Sequence, residues 1–263
     1  MSEGYVFGQA WERERERLSA VESYWDPRSR THLSELGVRD GWRCLDVGAG
    51  AGSLACWLAA EVAPTGSVLA VDLDARFLRE LDQPGLAVQE LDILRDPLPS
   101  RAFDLVHARL VLEHIPQRDE ALRLLVDAVC PGGWIAITGQ TGWDQWTPEP
   151  DDGSFVAARN ALRNAVEAAG WDTEYMLSVP SHLSSLGLQN VSAEGWRRKE
   201  PGGRAGWPHV GWWAFERLGP SMIEAGALTP DEVAEAQRVL LDPTVMHGSC
   251  ETWTVRGQRP LDR

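Results

Sequence analysis

The chain has 263 residues, 43% of them hydrophobic, with 25 Lys+Arg against 39 Asp+Glu and a formal net charge of −14. That suffices for one substantial core with a modest elaboration, whereas the acidity and a single lysine, Lys199, exclude the basic stripe that a nucleic-acid partner requires. No apolar run reaches bilayer length, and Met1-Ser2-Glu3 lacks the basic-then-apolar start of a signal peptide, so a cytoplasmic protein with no membrane partner is expected.

Residues 1–40 read as an N-terminal helical arm, with Trp11-Glu-Arg-Glu-Arg-Glu-Arg17 as a solvated, salt-bridged helix face. Residues 41–263 read as one α/β domain in which strands and helices alternate, with a helical cap inserted at about 202–243. Strands are predicted at Arg43–Val47, Ser67–Asp72, Leu86–Glu90, Phe103–His107, Trp134–Gly139, Val191–Trp196 and Cys250–Arg256, with a helix over Ser53–Ala60. Right-handed crossovers would make the first five strands parallel. Pro131-Gly-Gly133 reads as a turn before the fifth strand. Within the insertion, Trp212–Leu218 and Thr229–Leu241 read as helical, the second opening on Thr229-Pro-Asp-Glu232 with a capping hydroxyl, a first-turn proline and acids. Cys44, Cys56, Cys130 and Cys250 have neither CxxC spacing nor adjacent histidines, so reduced, core-filling thiols and no metal site are expected.

The richest segment is Cys44–Ala59, an apolar strand running through Gly48-Ala49-Gly50-Ala51-Gly52 into a helix. Glycines there permit backbone angles and a close approach that a β-carbon would block, so a ligand is expected against the turn. A dinucleotide fingerprint would need glycine where Ser53 stands. Asp46, just before the turn, repels a pyrophosphate but attracts a ligand carrying an ammonium and a sulfonium. S-adenosylmethionine fits that description. Asp72 ends the next strand about 20 residues on, where a carboxylate can accept from both ribose hydroxyls. Leu73 would press on the adenine, and Asp92-Ile93, after the third strand, offers a carboxylate for the exocyclic amine. Arg109, past the fourth strand, would lie near the methionine end of the ligand, its guanidinium reaching for a carboxylate.

Leu45–Gly52 (LDVGAGAG), Val68–Asp74 (VLAVDLD), Glu90–Ile93 (ELDI), residues 103–115 (FDLVHARLVLEHI) and residues 122–139 (LRLLVDAVCPGGWIAITG) occur in the order and spacing of known motifs. On these the chain resembles the class I S-adenosylmethionine-dependent methyltransferases, in particular the bacterial group acting on small metabolites and natural products. The resemblance implies a Rossmann-like, mostly parallel seven-stranded sheet whose last two strands form a hairpin. It also implies S-adenosyl-L-homocysteine as product, and an arm in which Tyr5 and Phe7 fold over the cofactor with Trp25 and Arg28. The end of the chain, Thr254-Val-Arg-Gly-Gln258, departs from the group's usual WGRRP.

Methyl transfer is a direct displacement that needs alignment and exclusion of water. The 13 tryptophans therefore suggest a wall for a flat, aromatic or hydrophobic small-molecule acceptor, with Trp143, Trp146 and Trp212 as candidates. A general base, needed for a hydroxyl acceptor but not for every nucleophile, would come from His107, His114 or His209. The acceptor atom can be O, N or C, and a monomer or homodimer is compatible with the composition. Two alternatives stay open at this point. An NAD(P)-dependent Rossmann oxidoreductase shares the strand-turn-helix, although no Tyr-x-x-x-Lys is present. A methyltransferase-like subunit that binds the cofactor without turnover shares the acids.

Overall fold

The computed structural model describes residues 12–150 and 153–262, so Tyr5 and Phe7 lie outside the described residues. Ten strands follow in chain order: β1 (Arg43–Val47), β2 (Ser67–Asp72), β3 (Leu86–Glu90), β4 (Phe103–Arg109), β5 (Val129–Thr141), β6 (Pro148–Glu149), β7 (Gln189–Trp196), β8 (Lys199–Pro201), β9 (Met246–Gly248) and β10 (Glu251–Gln258). The main helices are α1 (Glu14–Glu35), α2 (Ser53–Glu61), α3 (Arg118–Ala128), α4 (Ser154–Ala168), α5 (Val179–Ser185), α6 (Gly206–Glu224) and α7 (Pro230–Leu241).

Seven strands form one sheet in the order β3-β2-β1-β4-β5-β10-β7, and β3 through β5 pair in parallel. Parallel strands covered on both faces must be apolar on both. Accordingly Leu45, Val47, Val106 and Ala108 pack with Leu122 and Leu125 of α3, while the alternate residues Cys44 and Leu105 pack with Leu54 and Leu58 of α2 and Leu33 of α1. The sequence runs outward through β2 and β3 on one side of β1, then resumes at β4 on the other. That reversal opens a crevice at the carboxyl ends of β1 and β4, where ligands settle in open α/β sheets. The architecture is the mostly parallel, Rossmann-like seven-stranded sheet that the motifs imply.

The chain divides into two compact units. One holds the sheet, with Trp25–Gly139, Tyr175–Glu194 and Trp253–Arg263. The other gathers the described residues of Gln140–Glu174 and Gly195–Thr252 with residues 12–24. It is therefore larger than the expected insertion at 202–243, and it contains a three-stranded sheet, β6-β9-β8, that the sequence pattern did not reveal. Two- and three-residue strands are too short to display a period. In this unit α7 opens on a full capping box: Thr229 Oγ1 accepts from Glu232 N–H (3.3 Å), and Glu232 Oε2 accepts from Thr229 N–H (2.7 Å).

Two local expectations change. Pro131-Gly-Gly133 lies inside β5, where the register with β4 jumps from Phe103↔Val129 to Leu105↔Trp134. The excursion is a bulge, pinned by Gly132 N–H to the Arg259 carbonyl and Arg259 N–H to the Gly133 carbonyl, both 2.9 Å. Within the charged run before Arg17, Glu14 and Arg17 are buried and paired through two bonds of 2.6 and 2.9 Å, so that helix face is not simply solvated. All four cysteines are free, and burial pushes the Cys44 thiol up to about 12. Among the described residues no helix is long and apolar enough to cross a membrane, and no three His, Cys, Asp or Glu side chains cluster as metal ligands.

Candidate functional site

The glycine turn closes on itself. Gly48 and Ala49 N–H donate to the Val71 carbonyl (2.9 and 3.2 Å), Gly50 N–H to Asp72 Oδ2 (2.9 Å) and Gly52 N–H to the Ala49 carbonyl (2.9 Å). All four amides are spent inside the protein, whereas a phosphate cradle needs its amides aimed at the ligand. Gly48 has φ +65°, and a β-carbon there would stand 2.3 Å from Val111 Cγ2. Gly50, at φ +61°, is likewise left-handed, the conformation that lets its amide meet Asp72.

Asp72 closes β2 at the mouth of the turn. One carboxylate oxygen takes the Gly50 amide, the other the Asp74 amide at 3.1 Å. Burial outweighs these bonds and pushes its carboxyl up to about 6. Next to it Leu73 is 40% exposed, an apolar side chain standing free at a strand tip. Asp92 sits one strand further out, its Oδ1 accepting from Leu94 N–H (3.0 Å) with Arg95 at 3.4 Å from Oδ2. Ile93 is buried in the sheet core with Val71 and Leu91, so its side chain serves packing.

At the crevice between β1 and β4, Asp46 and His107 are register partners, and His107 Nδ1 lies 2.7 Å from Asp46 Oδ1. They are 3% and 2% exposed. His107 Nε2 is buried with no hydrogen-bond partner among the described residues. Two residues further along β4, Arg109 donates to Asp26 Oδ1 (2.9 Å) and Ser29 Oγ (3.1 Å) of α1. Its guanidinium thus clamps α1 to the sheet, which corrects the expectation that it reaches for a ligand carboxylate. Leu110, which follows, has φ +56°, a strained conformation for a branched side chain, and its N–H donates to the Thr138 carbonyl (2.7 Å). No local signal in the sequence announced either feature.

The other candidates fall as follows. His114 is buried at the end of the short 3-10 turn Leu112–His114. Its neighbour Glu113, unremarked in the sequence, is fully buried, with Oε1 2.9 Å from where a Gly139 β-carbon would stand. In the second unit, His209 Nε2 accepts from Trp213 Nε1 (3.0 Å), and burial together with Arg204 lowers its pKa, which fixes the ring as a neutral acceptor. Trp146 is ringed by Trp143, Phe155, Trp207 and Phe215 at centroid distances of 5.1 to 6.4 Å. It fills a core, which replaces the acceptor-wall role expected of it. Trp143 is also buried, edge-on to Trp171 at 5.4 Å, but its indole nitrogen has no partner among the described residues. Trp212 remains half-buried, flanked by Arg13 and Arg204 at 5.7 and 5.4 Å.

Residues 45–135 match the protein family described as a methyltransferase domain. A methyltransferase, str2, of Strobilurus tenacellus is 31% identical over 155 residues, 58% of this chain and 55% of that protein. The ubiquinone/menaquinone biosynthesis C-methyltransferase UbiE of Cupriavidus necator is 33% identical over 111 residues, 40% of this chain and 46% of that protein. The chain thus spans about half the length of these relatives. Among solved structures, phosphoethanolamine N-methyltransferase 2 of Haemonchus contortus with S-adenosyl-L-methionine superposes with a TM-score of 0.53 at 16% identity, covering 97% of this chain and 55% of that one. A SAM-dependent methyltransferase of Aquifex aeolicus gives 0.50 at 17% identity, over 91% and 92% of the two chains. At such identities the likeness speaks for the fold.

Proposed function

We propose that the chain, which carries a methyltransferase domain on a class I methyltransferase fold, transfers a methyl group from S-adenosylmethionine to an O, N or C nucleophile of a small, aromatic or hydrophobic metabolite. One observation carries this reading: the glycine turn spends the amides of Gly48, Ala49, Gly50 and Gly52 internally and is bordered by carboxylates, Asp46 and Asp72. Such a site repels a pyrophosphate and suits a cationic nucleoside. This disfavours a nicotinamide dinucleotide on the same scaffold.

The residues fit that cofactor in an orderly way. Asp72 would accept from the ribose hydroxyls, its carboxylate already held in place by Gly50 and Asp74. Leu73 would lie along the adenine and Asp92 take its amine, while Asp46 faces the ammonium and Gly48, Ala49 and Gly50 form the floor. When bound, the sulfonium supplies an electrophilic methyl group. The protein's share is alignment and dryness, since charge is neutralised as nucleophile and sulfonium meet and a water-poor site favours that change. Neither His209, a fixed acceptor, nor His107, tied to Asp46, is placed as a free base, which leaves His114 as the histidine candidate for proton removal.

The name of UbiE, a ubiquinone/menaquinone biosynthesis C-methyltransferase, supports a small-molecule acceptor. Among the rings, Trp143 with its unspent indole N–H and the half-buried Trp212 are our candidates for acceptor recognition. The test is transfer of isotopically labelled methyl from S-adenosylmethionine into a panel of phenols, quinols and aromatic amines, with thermal shift against S-adenosylhomocysteine and NAD run in parallel. Stabilisation by NAD alone would overturn the reading.

A further inference from the structure

Within the sheet unit, the buried polar groups at the carboxyl ends of β1 and β4 do not balance. Asp46, His107, Arg109 and Asp26 are buried or nearly so. Arg109 is matched by Asp26, which also receives the exposed Arg30 at 3.0 Å. That leaves Asp46 with only His107. A buried carboxylate without compensation is costly, and its desolvation is relieved either by a proton or by a cation.

Geometry selects between these. His107 Nδ1 is the atom that meets Asp46, so the ring donates N–H from Nδ1. A second proton would sit on Nε2, which is buried without an acceptor among the described residues. An imidazolium would therefore hold an unsatisfied charged donor, and the neutral ring is preferred. On the same sheet face, the register neighbour on β5 is Ala136, the buried residues of α2 are Leu54, Ala55, Leu58 and Ala59, and α1 contributes Asp26, already bound to Arg109. The neighbouring thiol Cys44 stays protonated, its pKa pushed up to about 12.

We propose that His107 is a positioning residue that keeps Asp46 ionised, so that the pair carries a standing single negative charge as the receptor for the ammonium of the bound nucleoside. The inference deepens the methyltransferase reading and rests on it. Its consequence is selectivity: ligands with the ammonium should sense His107, and ligands without it should not.

The experiment compares S-adenosylhomocysteine with methylthioadenosine, which keeps adenine and ribose but has neither ammonium nor carboxylate, by calorimetry on wild type, His107→Asn and His107→Leu. Asn presents an amide N–H where Nδ1 stands; Leu presents none. We expect His107→Leu to weaken S-adenosylhomocysteine roughly tenfold or more, while methylthioadenosine changes less than about twofold. His107→Asn should stay within about threefold of wild type for both. Equal losses for the two ligands, or an Asn variant as weak as the Leu variant, overturn the proposal. Should the Leu variant fail to fold, ring-nitrogen NMR of the ligand-free wild type decides: a neutral Nδ1–H ring supports it, and an imidazolium near neutral pH overturns it. If wild type binds methylthioadenosine but not S-adenosylhomocysteine, the proposal fails while the nucleoside site stands; if it binds neither, the methyltransferase reading itself fails.

Discussion

Asp72→Asn removes one charge and one acceptor while keeping the size of the side chain, and it should push binding and stability in opposite directions. If both ribose hydroxyls donate to the carboxylate, each hydrogen bond to a charged acceptor contributes about 1.5–3 kcal/mol. Such pairs are not additive, so a loss near 3 kcal/mol, roughly a hundredfold in Kd for S-adenosylhomocysteine, is expected by calorimetry. For stability, the gap between the ordinary 3.8 and about 6 corresponds to roughly 3 kcal/mol. Between those values the folded chain holds more protons than the unfolded one, so stability falls as pH rises through the window and stays low above it. Asparagine escapes that cost but forfeits one of the two backbone amide bonds, leaving a net gain of about 1 kcal/mol, or roughly 2–4 °C in Tm near neutral pH without ligand. Wild-type affinity should also decline as pH drops through about 6, because a protonated carboxyl cannot accept from both hydroxyls, and the Asn variant should lack that limb. Binding within threefold of wild type, or a Tm several degrees lower, would refute the reasoning.

Gly48→Ala combines φ +65° with a β-carbon 2.3 Å from Val111 Cγ2. It should cost about 2–3 kcal/mol in denaturant unfolding, and adding Val111→Ala should recover the collision but not the backbone strain. Full recovery in the double variant would show that backbone strain contributes little. Arg109→Leu leaves Asp26 buried beside the exposed Arg30 and should destabilise by about 3 kcal/mol, with Asp26→Asn added on top reducing the deficit. A deficit that simply adds would contradict the pairing. Thr229→Ala breaks the capping box and should cost about 1 kcal/mol, seen as faster amide exchange in the first turn of α7. Unchanged exchange there would mean that packing alone holds the turn.

Much of the fold is legible in local pattern. The starts of β1, β2, β3 and β4 and of α2 coincide with the residues at which apolar periodicity or turn chemistry changes. Thr229-Pro-Asp-Glu232 announces α7 because a capping box is made within four consecutive residues. The carboxylates after β2 and β3 and the glycine turn are visible for the same reason: strand, turn and acid are contiguous in the chain. By contrast β6, β8 and β9 are too short for any period, and the Pro131-Gly-Gly133 bulge carries the same residues as a free turn.

By itself, the sequence determined the alternation of strands and helices, the bare turn and the acids around it, since each depends on neighbours a few residues away. Only the tertiary structure decided which groups those acids meet. Asp46 and His107 are 61 residues apart and touch because β1 and β4 are adjacent in a particular register. Arg109 finds Asp26 across 83 residues, and Trp146 becomes a core residue through rings from distant helices. A one-residue slip of β4 would turn His107 and Arg109 to the opposite face of the sheet. Pairing between buried charges is a property of register and strand order, which local chemistry does not encode.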